Sequence, residues 1–173
     1  GDFELSINMA NEAIEYLEKV NDEKCIADAK YTIAGALYKT DDYYRGLRYL
    51  TDCLATYKKL NDHHNQSRVE KSMGTIFEYF GDTDRAINVY KSAVNSGEKA
   101  EDLNLQSNAF NPLSGIYLNR GKIDQSLELI EKSIQFKKKT NDIRGLAFAL
   151  YGRGKVFTVT GEFEKAEADF LES

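Results

Sequence analysis

Residues 74–93, GTIFEYFGDTDRAINVYKSA, contain the end of one helix, a turn and the start of a second helix. On both sides of Gly81, apolar side chains recur every three or four residues, which is the spacing of one helix face. Gly81 can adopt the left-handed backbone conformation that ends a helix at little cost. The stretch therefore predicts a pair of helices joined by a short turn.

The turn at Gly81 recurs along the chain at a constant interval. Gly81, Gly121 and Gly161 lie 40 residues apart, and the same step backward reaches Asp41 and then Gly1. A second kind of turn falls half a period away, at Asn21-Asp22, Asn61-Asp62, Glu101-Asp102 and Asn141-Asp142. The alternation of two kinds of turn predicts an internal repeat. Each unit would consist of two helices of about 17 residues, and each helix would be about 25 Å long. We expect the Asx residues to cap the first helix of each pair. In the left-handed position, Asp41 should cost about 1 kcal/mol relative to glycine.

Side-chain size follows the same period. Small residues occupy fixed columns, one of which is Ala34, Gly74, Ser114 and Gly154. Large residues fill complementary columns, such as Leu50, Tyr90, Ile130 and Phe170. Small residues opposite large ones let antiparallel helices approach closely while the bulky side chains fill the gaps. The pattern predicts an all-α fold of stacked helix pairs.

These columns resemble the signature of the tetratricopeptide repeat family. The best match is formed by Gly74, Phe77, Gly81-Asp82, Ala86, Tyr90 and Ala93, and the last pair matches with Gly154, Phe157, Gly161, Phe163, Ala166 and Phe170. The resemblance implies a right-handed α-solenoid, a superhelix of antiparallel helix pairs. The period of 40 residues exceeds the family's usual length of about 34, and the proline between repeats is missing. The longer variant resembles repeats found in bacterial signalling proteins and in some eukaryotic adaptors.

The turns divide the chain into one array over residues 1–173. We expect the second helix of a truncated repeat at 1–20, helix pairs at 21–60, 61–100 and 101–140, and a partial last pair at 141–173. Terminal helices of a solenoid need polar outer faces, but the apolar stripe of the first helix continues without one. We therefore expect a fragment of a longer protein. An intact short protein whose ends close by dimerisation is the alternative.

Composition excludes several functional classes. The 173 residues include 23 Lys and Arg against 28 Asp and Glu, and this net charge of −5 argues against a general binder of nucleic acid or anionic membranes. No apolar run approaches the roughly 20 residues that span a bilayer, and no signal-peptide pattern is present. Two cysteines are too few for a disulfide framework and favour a reducing compartment, so we expect a cytoplasmic protein.

The residues form no constellation that predicts catalysis. No phosphate-binding glycine loop, Ser/His/Asp or Cys/His arrangement is recognisable, and no acid occupies a core column, so we expect no enzyme and no cofactor. His63 and His64 lie at a turn without a supporting ligand spacing elsewhere, so no metal site is expected. The cluster Lys137–Lys139 ends a helix, where cations complement the helix dipole.

The resemblance also implies where a partner would bind. In the family, the first helix of each pair lines the concave surface, and Tyr, Arg and Asn side chains there suit recognition of a peptide. The expected binding residues are Tyr31, Tyr38, Arg68, Lys71, Tyr79, Asn108, Asn111, Asn119, Tyr151 and Lys155. An ordinary polar surface is the alternative for each. The carboxylate clamp of chaperone-binding members is not implied, because Tyr31 and Gly35 stand where its first Lys and Asn would be.

Pro112 is the single proline of the chain and falls inside a first helix. It removes one backbone hydrogen bond and its ring crowds the carbonyl of Asn108, which predicts a kink. Alternatively, Asn111 caps a shortened helix that begins at Pro112. The irregular stretch is either a ligand contact or a tolerated surface feature.

The sequence thus predicts a non-catalytic scaffold that binds a protein or peptide through its concave face. The alternative is an intramolecular regulatory or dimerising segment of a larger bacterial signalling protein, attached to a kinase, nucleotide cyclase or transcription regulator. A helical-repeat phosphatase would need a further catalytic bundle. The expected partners are a separate protein or peptide or an adjoining domain of the same chain, with a homodimer through the uncapped ends as a further option, and neither nucleic acid nor a membrane.

Overall fold

The computed structural model describes residues 2–173, which form nine α-helices and no β-strand. Gly1, the first glycine of the 40-residue register, lies outside the described residues. The helices are α1 (Phe3–Val20), α2 (Glu23–Lys39), α3 (Tyr43–Lys59), α4 (His63–Tyr79), α5 (Thr83–Lys99), α6 (Leu103–Asn119), α7 (Ile123–Lys139), α8 (Ile143–Thr160) and α9 (Phe163–Glu172). None of the helices within residues 2–173 combines the length and the apolar character that a bilayer-spanning segment requires.

Both kinds of turn have the local structure that the sequence predicts. The aspartates of the half-period turns cap the first helices, each carboxylate accepting a hydrogen bond from a backbone N–H of the first turn, at Asp22, Asp62, Asp102 and Asp142. At the other turn, Gly81 has φ of 71° and Asp41 adopts φ of 60° in the equivalent position, as predicted. The residues just before the capping aspartates also have positive φ, a role that we did not predict: Asn21, Asn61, Glu101 and Asn141.

Helix packing produces the predicted solenoid of antiparallel helix pairs. Each helix packs against the next one in the chain, and the first helices of successive pairs also contact one another, α4 with α6 and α6 with α8. Comparable contacts between successive second helices are missing from the part of the chain described, residues 2–173. From α4 to α8, the first helices are therefore closer together than the second helices and form the inner side of the stack.

The small and large columns meet across each helix pair. A Cβ atom added to Gly74 would lie 2.5 Å from the ring of Tyr90, and one added to Gly154 would lie 2.5 Å from the ring of Phe170. Tyr90 is completely buried. In the pair between them, Ser114 stands in the column of Gly74 and bonds to the second helix through Ser126, each serine donating to the other's carbonyl oxygen at 2.9 Å. The close approach predicted from the small column is confirmed.

Helix α6 continues through Pro112. It begins at Leu103, where Asp102 is the N-cap, and ends at Asn119. The alternative in which Asn111 caps a shortened helix is therefore wrong. Because the helix runs without interruption from the Asp102 cap to Asn119, the residues on both sides of the proline keep the 40-residue register of the other repeats.

Lys137 differs from the sequence-based expectation of a helix-end surface cation. Lys138 and Lys139 are exposed in the last turn of α7, but the Lys137 side chain is only 1% exposed. Its Nζ donates to Asp142 Oδ2 and to Asn108 Oδ1, both at 2.7 Å. A fully buried ammonium is costly unless it is paired, and these two oxygens supply the pairing.

Two acids are also buried, although the sequence analysis expects none in a core position. Asp169 accepts hydrogen bonds from Arg153 Nε at 2.8 Å and Nη2 at 2.7 Å, a bidentate pair. Glu70 accepts from the hydroxyls of Ser92 at 2.9 Å and Ser96 at 2.7 Å. Both acids thus bind donors on the partner helix of their own pair, which the column pattern alone does not reveal. Glu167, which lies on the same helix as Asp169, is exposed and not buried.

Candidate functional site

A cavity of about 640 Å³ runs across the first helices of four successive pairs. Five of the ten binding residues predicted from the sequence line it: Tyr31 from α2, Arg68 and Lys71 from α4, and Asn108 and Asn111 from α6. Gly145 and Phe148 extend its wall to α8, and Phe148 is 66% exposed. We call this cavity the long groove.

A second, smaller cavity of about 230 Å³ lies beside the long groove, between α2 and α4. Tyr31 and Lys71 line both cavities, and Tyr38, a further predicted residue, lines only the smaller one. Among helices within residues 2–173, α2 and α4 pack less closely than α4 and α6 do. The looser packing leaves the space that this cavity occupies, which we call the side pocket.

Four predicted residues lie outside both cavities. The Tyr79 side chain is 64% exposed, and its ring centroid is 4.0 Å from that of Tyr43, at the ends of α3 and α4. The Tyr151 ring centroid is 5.7 Å from that of Phe170, so this tyrosine packs onto the last helix. Asn119 and Lys155 are exposed elsewhere on α6 and α8. The structure therefore does not gather these four with the other predicted residues.

Tyr90 contributes to the long groove although the sequence analysis treats it as a core residue only. Its hydroxyl donates to Glu78 and lies 3.3 Å from Thr75 Oγ1, on the inner side of α4. A signal was present, because Tyr90 is the single tyrosine among Leu50, Ile130 and Phe170 in its column, and a buried tyrosine usually needs a partner for its hydroxyl.

Arg68 and Lys71 are the cations of the long groove, three residues apart on α4. The Arg68 guanidinium lies 4.8 Å from the Tyr31 ring centroid and donates to Asn65 Oδ1 at 2.9 Å. Burial lowers the pKa of the Lys71 ammonium, and the negative charge of Glu78 offsets part of that effect. Neither cation forms a salt bridge with a carboxylate of residues 2–173. Glu78 also lines the groove, but its carboxylate accepts from the Tyr90 hydroxyl and forms a salt bridge with neither cation.

The asparagines of α6 differ in how they are held. Asn108 Oδ1 accepts from the buried Lys137 ammonium, which fixes that oxygen toward α7 and leaves the amide N–H groups as the donors toward the groove. Asn111 Oδ1 is buried and has no hydrogen-bond partner within residues 2–173. The two side chains give the middle of the groove hydrogen-bonding capacity without adding charge.

The Lys137–Asp142 pair that supports Asn108 should make stability depend on acid pH. The Lys137 ammonium and then the Gly145 N–H donate to the Asp142 carboxylate and hold its pKa below the ordinary 3.8. A lowered carboxyl pKa stabilises the folded state fully above about pH 4 and progressively less as pH falls through the folded-state value. In urea titrations, the stability gap between wild type and Asp142→Asn should be constant from about pH 5 to 7 and shrink below 3.8. A gap that stays constant down to about pH 2 would contradict this linkage.

The histidine pair lies at the start of α4, away from the residues that line the long groove. His64 Nδ1 is 3.5 Å from Asp102 Oδ2, and the buried His63 Nδ1 has no partner within residues 2–173. In the same range, no group of three or more His, Cys, Asp or Glu side chains is arranged to hold a metal ion.

Residues 25–99 match the family model of the tetratricopeptide repeat. This match covers the first two complete helix pairs almost entirely, and it confirms the resemblance drawn from the columns of Gly74 and Tyr90. No curated protein sequence matches the chain.

Solved structures share the architecture over nearly the whole chain. BtubC from P. vanneervenii superposes with a TM-score of 0.85 at 16% identity, covering 98% of this chain and 70% of that one. A Rap protein solved in complex with competence and sporulation factor gives 0.81 at 18% identity, covering 97% and 47%. The Rap conjugation regulator of plasmid pLS20, solved in complex with the Phr* peptide, gives 0.78 at 16% identity, covering 96% and 46%. At these identities the likeness establishes the fold.

Proposed function

We propose that this array of tetratricopeptide-like helix pairs binds a peptide segment of a partner protein in the long groove. The observation that carries the proposal is the continuity of that groove, whose wall takes side chains from α2, α4, α6 and α8. A surface spanning four rigid helices fits an elongated ligand better than a compact metabolite. Because the helices are fixed by packing, binding requires little ordering of the scaffold.

The chemistry of the groove suits a polypeptide. Tyr31 and Phe148, near its two ends, offer aromatic area with few rotatable bonds, which is typical of residues that dominate binding energy. Asn108 and Asn111 between them can hydrogen-bond to the amide groups of an extended backbone whatever its sequence. Arg68 and Lys71 add charge-assisted donors for an acceptor on the ligand.

The structural neighbours are consistent with this assignment. The pLS20 Rap regulator, which has the same fold, was solved with a peptide. We therefore propose a non-catalytic interaction scaffold whose binding residues are those that line the two cavities.

The test is selection of random dodecapeptides displayed on phage against the full chain, followed by titration of synthetic winners. Tyr31→Ala and Phe148→Ala should each weaken binding by at least tenfold, because one ligand contacts both ends of the groove. Fluorescence anisotropy with labelled peptides measures the dissociation constants.

Tyr44→Ala is the matched control for these variants. Tyr44 is an aromatic residue that is exposed like Phe148, and it lines a different cavity near the turn at Gly81. Its truncation should leave peptide affinity within twofold of wild type, with circular dichroism confirming that all three variants keep their helicity. Failure to select any peptide, or equal weakening by Tyr44→Ala, would reject the long groove as the binding surface.

A further inference from the structure

The side pocket has an apolar floor, and two of the hydroxyls that line it are already hydrogen-bonded. Its floor is formed by Ala34, Leu50 and Ile76, all 3% exposed or less. Of its hydroxyls, Ser72 Oγ donates to the Arg68 carbonyl at 3.0 Å and Thr75 Oγ1 donates to the Lys71 carbonyl at 3.2 Å. Because these hydroxyls have partners, the pocket does not require a polar occupant. An apolar cavity of about 150 Å³ accepts a molecule of benzene size, so about 230 Å³ accommodates an aliphatic side chain.

Gly35 keeps the side pocket open. It lines the pocket from α2, and a Cβ atom added there would meet no other atom within 4 Å. A larger side chain at this position therefore fits the helix and extends into the space above the floor. Gly115 of α6, two repeats later in the same column, likewise has no neighbour within 4 Å of an added Cβ and lines neither cavity. The chain thus contains a matched pair of open helical glycines, one at the pocket and one away from it.

Repeat-to-repeat comparison explains why Arg68 has no partner on the second helix of its pair. In the preceding pair, Tyr57 of the second helix donates to Asp28 of the first at 2.5 Å, and in the following pair Lys137 donates to Asn108 at 2.7 Å. Arg68 occupies the same column as Asp28 and Asn108. The corresponding residue of its second helix is Gly97, which has no side chain to reach it. Arg68 is consequently turned over the Tyr31 ring, beside the mouth of the side pocket.

Lys71 places a second cation at the same point, since it lines both the side pocket and the long groove. The long groove is lined by these two cations and by one acid, Glu78, which forms a salt bridge with neither of them. The excess of positive charge favours an anionic group on the ligand. The positive charge lies directly beside an apolar cavity, so adjacent residues of one peptide can contact both.

We propose that the side pocket takes an aliphatic side chain of the bound peptide while a neighbouring acidic side chain of that peptide pairs with Lys71 and Arg68. This inference rests on the proposed function and specifies the peptide class: an aliphatic residue within two positions of Asp or Glu. Tyr31, between the two subsites, contacts both parts of the motif.

The experiment uses the dodecapeptides selected against the full chain. Winners should be enriched in Leu, Ile, Val or Met within two positions of Asp or Glu, and replacing that acid by its amide should weaken wild-type binding at least tenfold. Gly35→Leu should weaken binding at least tenfold by filling the pocket, whereas Gly115→Leu should leave it within twofold. Both substitutions replace glycine in an exposed or partly exposed helical position, so neither is expected to unfold the chain.

A double-mutant cycle separates charge recognition from general weakening. The double variant Lys71→Met, Arg68→Met keeps both aliphatic stems and removes both charges, so the acidic peptide and its amide counterpart should bind it with affinities within threefold of each other. Equal effects of Gly35→Leu and Gly115→Leu, or winners without the aliphatic–acidic pair, would overturn this inference while leaving peptide binding in the long groove intact. Selection of no peptide at all would reject both.

Discussion

Asp142→Ala is expected to lower the free energy of unfolding by about 3 kcal/mol or more. Two effects combine at this position. The carboxylate caps α8 through the Gly145 N–H at 2.8 Å, and loss of a cap costs about 1 kcal/mol. It is also the anionic partner of Lys137, whose side chain is 1% exposed, and removing it leaves a buried cation with only neutral oxygen acceptors. Urea denaturation followed by circular dichroism measures the loss.

Asp62→Ala is the control, because Asp62 caps α4 in the same repeat column but pairs with an accessible cation. Its partner Lys24 Nζ lies at 3.2 Å and the Lys24 side chain is 56% exposed, so water can replace the carboxylate. This variant should therefore lose only about 1 kcal/mol. If the two aspartate variants are equally destabilised, the buried Lys137 contributes nothing beyond the cap, and the account of this pair is wrong.

Gly74→Leu is expected to destabilise the chain by about 3 kcal/mol, at the upper end of overpacking effects. A Cβ atom at Gly74 would lie 2.5 Å from Tyr90 Cε1, and leucine adds three further carbon atoms beyond its Cβ. The ring cannot move aside easily, because its hydroxyl is bonded to Glu78 and the side chain is completely buried. For a chain of this length, such a change lowers the melting temperature by about 6–12 °C.

Gly115→Leu serves again as the reference, since it makes the same chemical change in a helix where an added Cβ meets nothing within 4 Å. Leucine has the higher helix propensity, so this variant should be as stable as wild type or up to about 1 kcal/mol more stable. A Gly74→Leu protein that melts with wild type would refute the close contact between α4 and α5. Combining Gly74→Leu with Tyr90→Ala should destabilise less than the sum of the two single changes, because they act on one shared space.

The sequence predicts the architecture because the residues that indicate turns and helices are local and repeated. The capping aspartate recurs at Asp22, Asp62, Asp102 and Asp142, so a wrong interpretation of one turn would be corrected by the other three. The contact of Gly74 with Tyr90 also follows from column sizes, since a small residue and a large one recur at fixed separations. The repeat period is therefore sufficient to predict the helices, their pairing and the close contact between the two helices of a pair.

The buried polar residues escape this approach because their partners are set by tertiary geometry. Lys137 looks like the first of three helix-end lysines, yet it is buried because Asp142 and Asn108 converge on its ammonium. Asp169 shares its column with Met9, Tyr49, Val89 and Leu129, so that column could have indicated its burial but not the arginine that it binds. The column of Glu70 mixes Lys30 with Phe110 and Leu150 and gives no clear indication. For the candidate site, helix phase correctly groups Tyr31, Arg68, Lys71, Asn108 and Asn111 by face, but how closely α2 approaches α4 depends on packing that no single helix encodes.

The locality of the contacts also bears on how such a chain can diverge. Within residues 2–173, each helix packs mainly against its neighbours in the chain and, from α4 onward, the first helices also pack against the next first helix, so we expect a substitution in one 40-residue unit to leave distant units undisturbed. The exchange of tyrosine, glycine and lysine at positions 57, 97 and 137 illustrates this locality, because its effects reach the same pair and the adjacent one, as the Arg68–Tyr31 and Lys137–Asp142 contacts show. Duplication of a whole unit would preserve every cap and every seam while lengthening the surface by one step. Substitutions and duplications can therefore change the inner surface, residue by residue or unit by unit, without changing the fold.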